Sequence, residues 1–270
     1  VKLKFAILFL SFLPCLICDA ESDVPKISFG TFPYPISRIH FYSENGTPIS
    51  KAKEMYSPFP DDFPSHTIVT LEDSRDYPAL KRGARYFFPS FNRLRIYNIS
   101  DLKHSPYKTI QKFLNGQPGI PMIGLVETLR DRPKSSATKG RYVALPDYPS
   151  RNAAHLIQTK IAYADYDWGS GVFYITQFTQ SRGNYPNNEE LVYLFQGLSK
   201  DGKYYVSADF RITHPKLPRG IDSIPDGPTV DDDVDKKAAP MLSKQKDDSF
   251  TPSLDKLRTW VGTLKFEDKD

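Results

Sequence analysis

Cysteine is nearly missing from this chain: its two copies, Cys15 and Cys18, both fall within the first twenty residues. A chain that loses that segment has no disulfide framework and no thiol nucleophile, so its stability must come from an apolar core. Long apolar runs are missing too. The longest, residues 5–17, is interrupted by Pro14 and falls short of the roughly 20 residues that cross a bilayer as a helix. The five histidines (His40, His66, His104, His155, His214) include no pair within five positions, whereas zinc motifs supply at least one close ligand pair. No Gly-x-Ser-x-Gly elbow occurs. The stretch nearest to one, Gly197-Leu198-Ser199-Lys200-Asp201-Gly202, has the wrong spacing and reads as a hairpin turn. Gly169-Ser170-Gly171 precedes a strand pattern, so it offers no helix N-terminus to a phosphate. No motif calls for a cofactor.

What is present begins with an address. Lys2 and Lys4 precede the apolar run, and Cys18-Asp19-Ala20 ends in a small residue. That order of charge, apolar stretch and small-residue exit is expected of a secretory signal peptide over residues 1–20. The expected location is secreted or periplasmic, with no transmembrane anchor in the mature chain. Lipid anchoring through Cys15 or Cys18 is the alternative. Pro14 and Ile17 stand where a lipoprotein peptidase needs a small residue, which disfavours it.

Net charge is only +4, and it is unevenly placed. Residues 81–160 hold fifteen lysines and arginines against Asp101, Glu127, Asp131 and Asp147. A field of one sign concentrates partners of the other. The expected partners are an anionic polymer, a lipid headgroup or an envelope protein; nucleic acid is not among them. Arg130, Arg132 and Arg141 lie in or beside the polar loop at residues 131–140 and are the candidate contacts. A solvated basic face, neutralised by the acidic flanks, is the competing interpretation.

Residues 21–64 are proline-rich and suit edge strands and extended loops. Strands are expected over residues 36–42, 67–71 and 94–97, and a short helix over 105–114, opened by Ser105-Pro106 and ended by Gly116. Asn45-Gly46-Thr47 and Asn98-Ile99-Ser100 are sequons. Across residues 156–212 apolar and polar side chains alternate with period two. Ile157, Thr159, Ile161 and Tyr163 fall on one side, and Val172, Tyr174, Thr176 and Phe178 on one side of the next strand. Asp201-Gly202 is a favoured hairpin pair. After it, Tyr204, Val206, Ala208, Phe210 and Ile212 are expected to face a core, and Lys203, Tyr205, Ser207, Asp209 and Arg211 to face water. Residues 219–249 are charged and poor in large apolar groups, and read as a flexible linker or insertion. Thr251-Pro252 then opens a C-terminal helix whose Leu254, Leu257, Val261 and Leu264, with Trp260, make an apolar stripe.

Few residues suggest chemistry. Tyr205, Asp209 and Arg211 on the wet strand face combine an aromatic, an acid and a fork donor, a mixture suited to sugars or polar polymers. Trp168 at a turn can stack on a sugar ring or tuck beneath its own hairpin. Asp165 and Asp167, two apart at a strand end, are the only candidates for a metal site or an acid–base pair. Asp231-Asp232-Asp233-Val234-Asp235 lacks the glycine and distal glutamate of a calcium loop.

Three strings carry a resemblance: Tyr174-x-Thr176-Gln177-Phe178, then Phe195-Gln196-Gly197-Leu198-x-x-Asp201-Gly202-Lys203-Tyr204-Tyr205-Val206-Ser207-Ala208, then His214-Pro215-x-Leu217-Pro218. With weaker markers at Asn152-Ala153-Ala154, Gly169-x-Gly171-Val172 and Arg95-Ile96-Tyr97, they resemble an uncharacterised family of bacterial secreted and envelope lipoproteins. The resemblance implies an extracytoplasmic location and brings no activity, cofactor or catalytic residue with it.

The expected fold is α+β: a twisted antiparallel sheet covered by a C-terminal helix, with the proline-rich N-terminal region along an edge and a β-sandwich as the alternative. One globular domain over 21–218 is followed by the linker and by the helix of 250–270. The expected function is a non-catalytic exported module for an anionic envelope component. An envelope hydrolase using Asp165 and Asp167, and a protein-interaction module using sheet edges, are the alternatives.

Overall fold

A computed structural model describes residues 25–44, 66–73, 92–104, 129–130, 132, 145–149, 153–179, 185–220 and 234–267. The fold is mostly β. Seven strands form one antiparallel open sheet in the order β2-β3-β4-β8-β7-β6-β5: β2 (Ile36–Glu44), β3 (His66–Asp73), β4 (Asn92–Asn98), β5 (Ala154–Asp165), β6 (Gly169–Thr179), β7 (Val192–Ser199) and β8 (Tyr204–Arg211). A separate two-stranded sheet pairs β1 (Lys26–Ser28) with β9 (Lys265–Glu267). Short helices α1 (Ile99–His104), α2 (Val234–Ser243) and α3 (Leu254–Gly262) complete the described elements. The strands at 36–42, 67–71 and 94–97 are where alternation places them. The helix expected over 105–114 lies outside the described residues.

One sheet face carries the larger core. Leu94, Ile96, Phe173, Ile175, Phe195, Val206, Ala208 and Phe210 meet Leu254, Leu257, Trp260 and Val261 of α3 and Ala238 and Leu242 of α2. Trp260 is the hub: Phe29, Phe32 and Phe210 pack on it with ring centroids 5.0–5.8 Å apart. The apolar stripe read in the sequence is therefore core. The helix opens later than Thr251-Pro252 suggests, however. Ser253 is the N-cap, and Thr251 bridges Thr213 instead. Residues 234–249 depart from the expected linker: they form α2 and a 3-10 turn at Asp247–Ser249, because Ala238 and Leu242 supply enough apolar surface to dock. Residues 221–233 lie outside the described residues.

The second face is not wet. Tyr97, Ile99, Leu129, Leu145, Tyr148, Val172, Tyr174, Phe178, Leu194 and Tyr205 form a second buried cluster, and every residue of β7 and β8 is buried. The polar members of this face are one another's partners, which is what lets them leave water. Tyr205 donates to Gln196 Oε1 at 2.6 Å, and Gln196 Nε2 donates to Ser207 at 3.0 Å. Gln196 Oε1 also accepts the Tyr148 amide at 3.3 Å. Arg95 pairs with Asp209 at 3.0 Å.

His214 clasps two ends of the fold. Its Nδ1 accepts the Lys216 amide at 3.2 Å, so the proton sits on Nε2, 3.1 Å from Ser249 Oγ. Burial, with Lys216 nearby, pushes the imidazole below its ordinary value of 6.5. The unfolded chain therefore binds the proton more readily than the folded one. This contribution to stability is complete above the ordinary value and is lost as pH falls through the lower folded value. Thermal melts from pH 7 down to pH 5 should show a falling Tm, and His214→Gln should flatten that dependence; an unchanged slope in the variant would remove His214 from the account.

Candidate functional site

The solvent-facing set expected on β8 is not a surface. Tyr205, Asp209 and Arg211 are at most 3% exposed, with Arg211 Nη2 donating to the Glu189 carbonyl at 2.9 Å. Trp168 takes the second of its two readings. It is buried, donates Nε1 to the Val261 carbonyl at 2.9 Å, and packs between Tyr166, Phe195 and Phe266. No ring face is left for a sugar. Asp165 ends β5, but Asp167 lies in the hairpin turn closed by Tyr166 and Gly169, so the two do not share a strand face. Asp165 is gripped by both Arg132 nitrogens, whose hydrogen bonds hold its carboxyl below the usual range. Among the described residues, no three acid, histidine or cysteine groups converge as a metal site, and no helix is long and apolar enough to cross a membrane.

The basic segment is only partly visible. Arg141 lies outside the described residues, as do most of its lysines and arginines. Arg130 is exposed, Arg132 is bound to Asp165 and leans over the Tyr163 ring, and Arg95 is held inside by Asp209. The sequon at Asn98 has a local explanation. The Asn98 carboxamide accepts the Ser100 amide at 3.0 Å and so caps α1.

Among the described residues a cleft lies elsewhere, at the β5 edge of the sheet. A break in the β5–β6 register between Thr159 and Ala162 inserts one extra residue there, and Lys160 takes a left-handed backbone with φ 55°. A bulge flips every following side chain to the other face. Ile157 therefore belongs to the larger core, whereas Ile161 and Tyr163 pack on the second cluster. The simple alternation over 157–163 fails at this point. The left-handed backbone costs Lys160 about 1 kcal/mol or more, and it turns the side chain outward across the sheet edge.

That side chain reaches the C-terminal helices. Lys160 Nζ donates to the Gln245 carbonyl and to Asp247 Oδ1, the latter at 2.8 Å. Asp247 also accepts from Arg258 on α3, and Arg258 Nη2 further binds Asp255. Arg258 Nη1 donates to the buried Tyr193 hydroxyl at 2.8 Å. Tyr166 closes the group by donating to the Arg258 carbonyl at 2.8 Å. Around these groups lies an open cleft of about 580 Å³, lined also by Ala162, Tyr163 and Thr259.

Four ionisable groups of this cluster are shifted by their surroundings. Burial pulls Asp247 upward, but hydrogen bonds from Arg258 and Lys160 overcome it and keep the carboxyl below its usual range. Burial raises the Tyr166 and Tyr193 hydroxyls far above neutrality. Arg258 is raised by Tyr193 and Asp247 against its own desolvation. General acid–base catalysis needs a group whose pKa lies near the working pH. The shifts of Asp247, Tyr166, Tyr193 and Arg258 all run away from neutrality.

Sequence reasoning missed this cluster. Lys160 is visible there only as one cation among fifteen, and Asp255 and Arg258 only as the polar side of a helix. The i, i+3 spacing of those two is the single local signal. No family model, no curated protein and no solved structure matches this chain.

Proposed function

We propose that this protein is an exported, non-catalytic binding module that takes an anionic envelope component at the β5–α3 cleft. The basic 81–160 segment adds long-range attraction. One observation carries the reading. Lys160, Arg258 and Asp247 are 17–22% exposed at the side chain, and they sum to one positive charge. The fourth member, Asp255, is 66% exposed. A carboxylate in water neutralises poorly what lies beneath it, because exposed pairs are screened by solvent and salt. The cleft floor keeps one positive charge whenever Asp255 turns away from Arg258.

The shifts of Asp247, Tyr166, Tyr193 and Arg258 away from neutrality favour binding over hydrolysis, and the hydrogen bonds from Arg132 favour the ionised form of Asp165. Export rests on the charge and apolar pattern of residues 1–20. The measurable consequence is strong salt dependence. Dextran sulfate should bind tightly at low ionic strength and weakly at high ionic strength. Lys160→Asn, which removes the charge while suiting the left-handed backbone, should weaken binding without changing the circular dichroism spectrum. Affinity that ignores salt, or an unaltered Lys160→Asn variant, would overturn the reading.

A further inference from the structure

We infer that the cleft recognises the carboxylate of an acidic saccharide, and that in the free protein Asp255 occupies the place this carboxylate takes on Arg258. The inference rests on the binding reading above and names its ligand and its internal competitor.

Arg258 presents a planar fork, and two of its three acceptors are fixtures. The Tyr193 hydroxyl is buried, and Asp247 is tied from its other oxygen by Lys160. Asp255 is different. It sits in the first turn of α3, mostly in water, and touches the same Nη2 that Asp247 holds. Exposed carboxylate pairs of this kind are worth little, about 0.2–1 kcal/mol, so rotating Asp255 into solvent is cheap. The position it vacates faces one charged N–H of Arg258 Nη2, a donor that suits a carboxylate oxygen and already holds one in Asp255.

The surroundings favour a sugar as carrier. Thr259 lines the same open trough; its hydroxyl donates to the Asp255 carbonyl and so offers an acceptor to a sugar hydroxyl beside the bound carboxylate. An open trough lets a polymer continue past the bound residue. A lipid headgroup fits less well. Among the described residues the exposed large apolar side chain is Ile39, on β2 at the opposite edge of the sheet, so no apolar patch flanks the cleft.

The test compares trigalacturonate with the uncharged galactose trisaccharide by calorimetric titration of the full chain. Trigalacturonate should bind and the neutral trisaccharide should not. Asp255→Asn should tighten trigalacturonate binding by about two- to five-fold, the factor that follows from releasing an exposed pair. Asp248→Asn, which removes a neighbouring exposed charge outside the cleft, should change it less. Equal gains in the two variants would reduce Asp255 to background charge and overturn the competitor, leaving the cleft as a binding site. Equal binding of the neutral trisaccharide would overturn carboxylate recognition. If dextran sulfate binds in a salt-dependent way and trigalacturonate does not, the saccharide inference falls and the anion-binding reading stands. If neither binds, both fall.

Discussion

Replacing Asp209 by alanine should lower the stability of the fold by about 3–5 kcal/mol, the usual consequence of removing one partner of a buried ion pair. Asp209 and Arg95 lie opposite sides of the β4–β8 ladder, 3.0 Å apart, with side-chain exposures of 2% and 5%. The alanine removes the Asp209 charge from beside a buried guanidinium. The double replacement Arg95→Met with Asp209→Leu should recover much of the loss, since apolar groups of similar size can stand in for a buried pair. Denaturant midpoints of the single and double variants measure both effects. A loss below about 1 kcal/mol would be the behaviour of an exposed residue, and would return Asp209 to the solvent face that strand alternation assigns it.

The second large effect should come from a glycine pair. Gly171 and Gly197 stand directly across the β6–β7 ladder from each other, and the Phe195 ring lies over both. A Cβ on Gly171 would sit 2.4 Å from that ring and 2.5 Å from the Gln196 carbonyl; one on Gly197 would meet the ring at 2.4 Å. Overpacking of this kind costs about 1–3 kcal/mol, occasionally more. Gly171→Ala should fall at or above the top of that range, because a backbone oxygen cannot rotate away. Gly197→Ala should cost less, and adding Phe195→Leu should rescue it more fully than it rescues Gly171→Ala. Thermal unfolding of the four variants tests the order. Equal rescue would mean that the ring alone sets the spacing.

These glycines help explain how far the sequence could be read. Gly197, Gly171, His214 and Gln196 all belong to the strings that stand out in the sequence. In the structure each does structural work: making room for a ring, clasping the Ser249 turn, or satisfying Tyr205 and Tyr148. The most recognisable words of the chain describe how it folds. Strands and the Asp201-Gly202 turn were legible because their signals are local; Gly202 indeed takes φ 71°.

Burial of the second face was not legible. Its cover comes from Leu129, Leu145 and Tyr148, which no strand pattern connects to β8. The cleft was hidden for the same reason. Lys160 and Asp247 are 87 positions apart, and Lys160 reaches its partner only through a bulge that period-two alternation cannot anticipate. Polar residues at alternate strand positions promise an outside face only when nothing else in the chain is available to cover them.

The pairing of β1 with β9 has a consequence in time. Residues 26–28 have no ladder partner until residues 265–267 exist, and Trp260, the centre of the main core, arrives almost as late. Closing so long a loop is slow, and contacts distant in sequence delay folding. During synthesis the strands can therefore assemble only a half-covered sheet. The main core stays open until the last turn of α3 and strand β9 have been made.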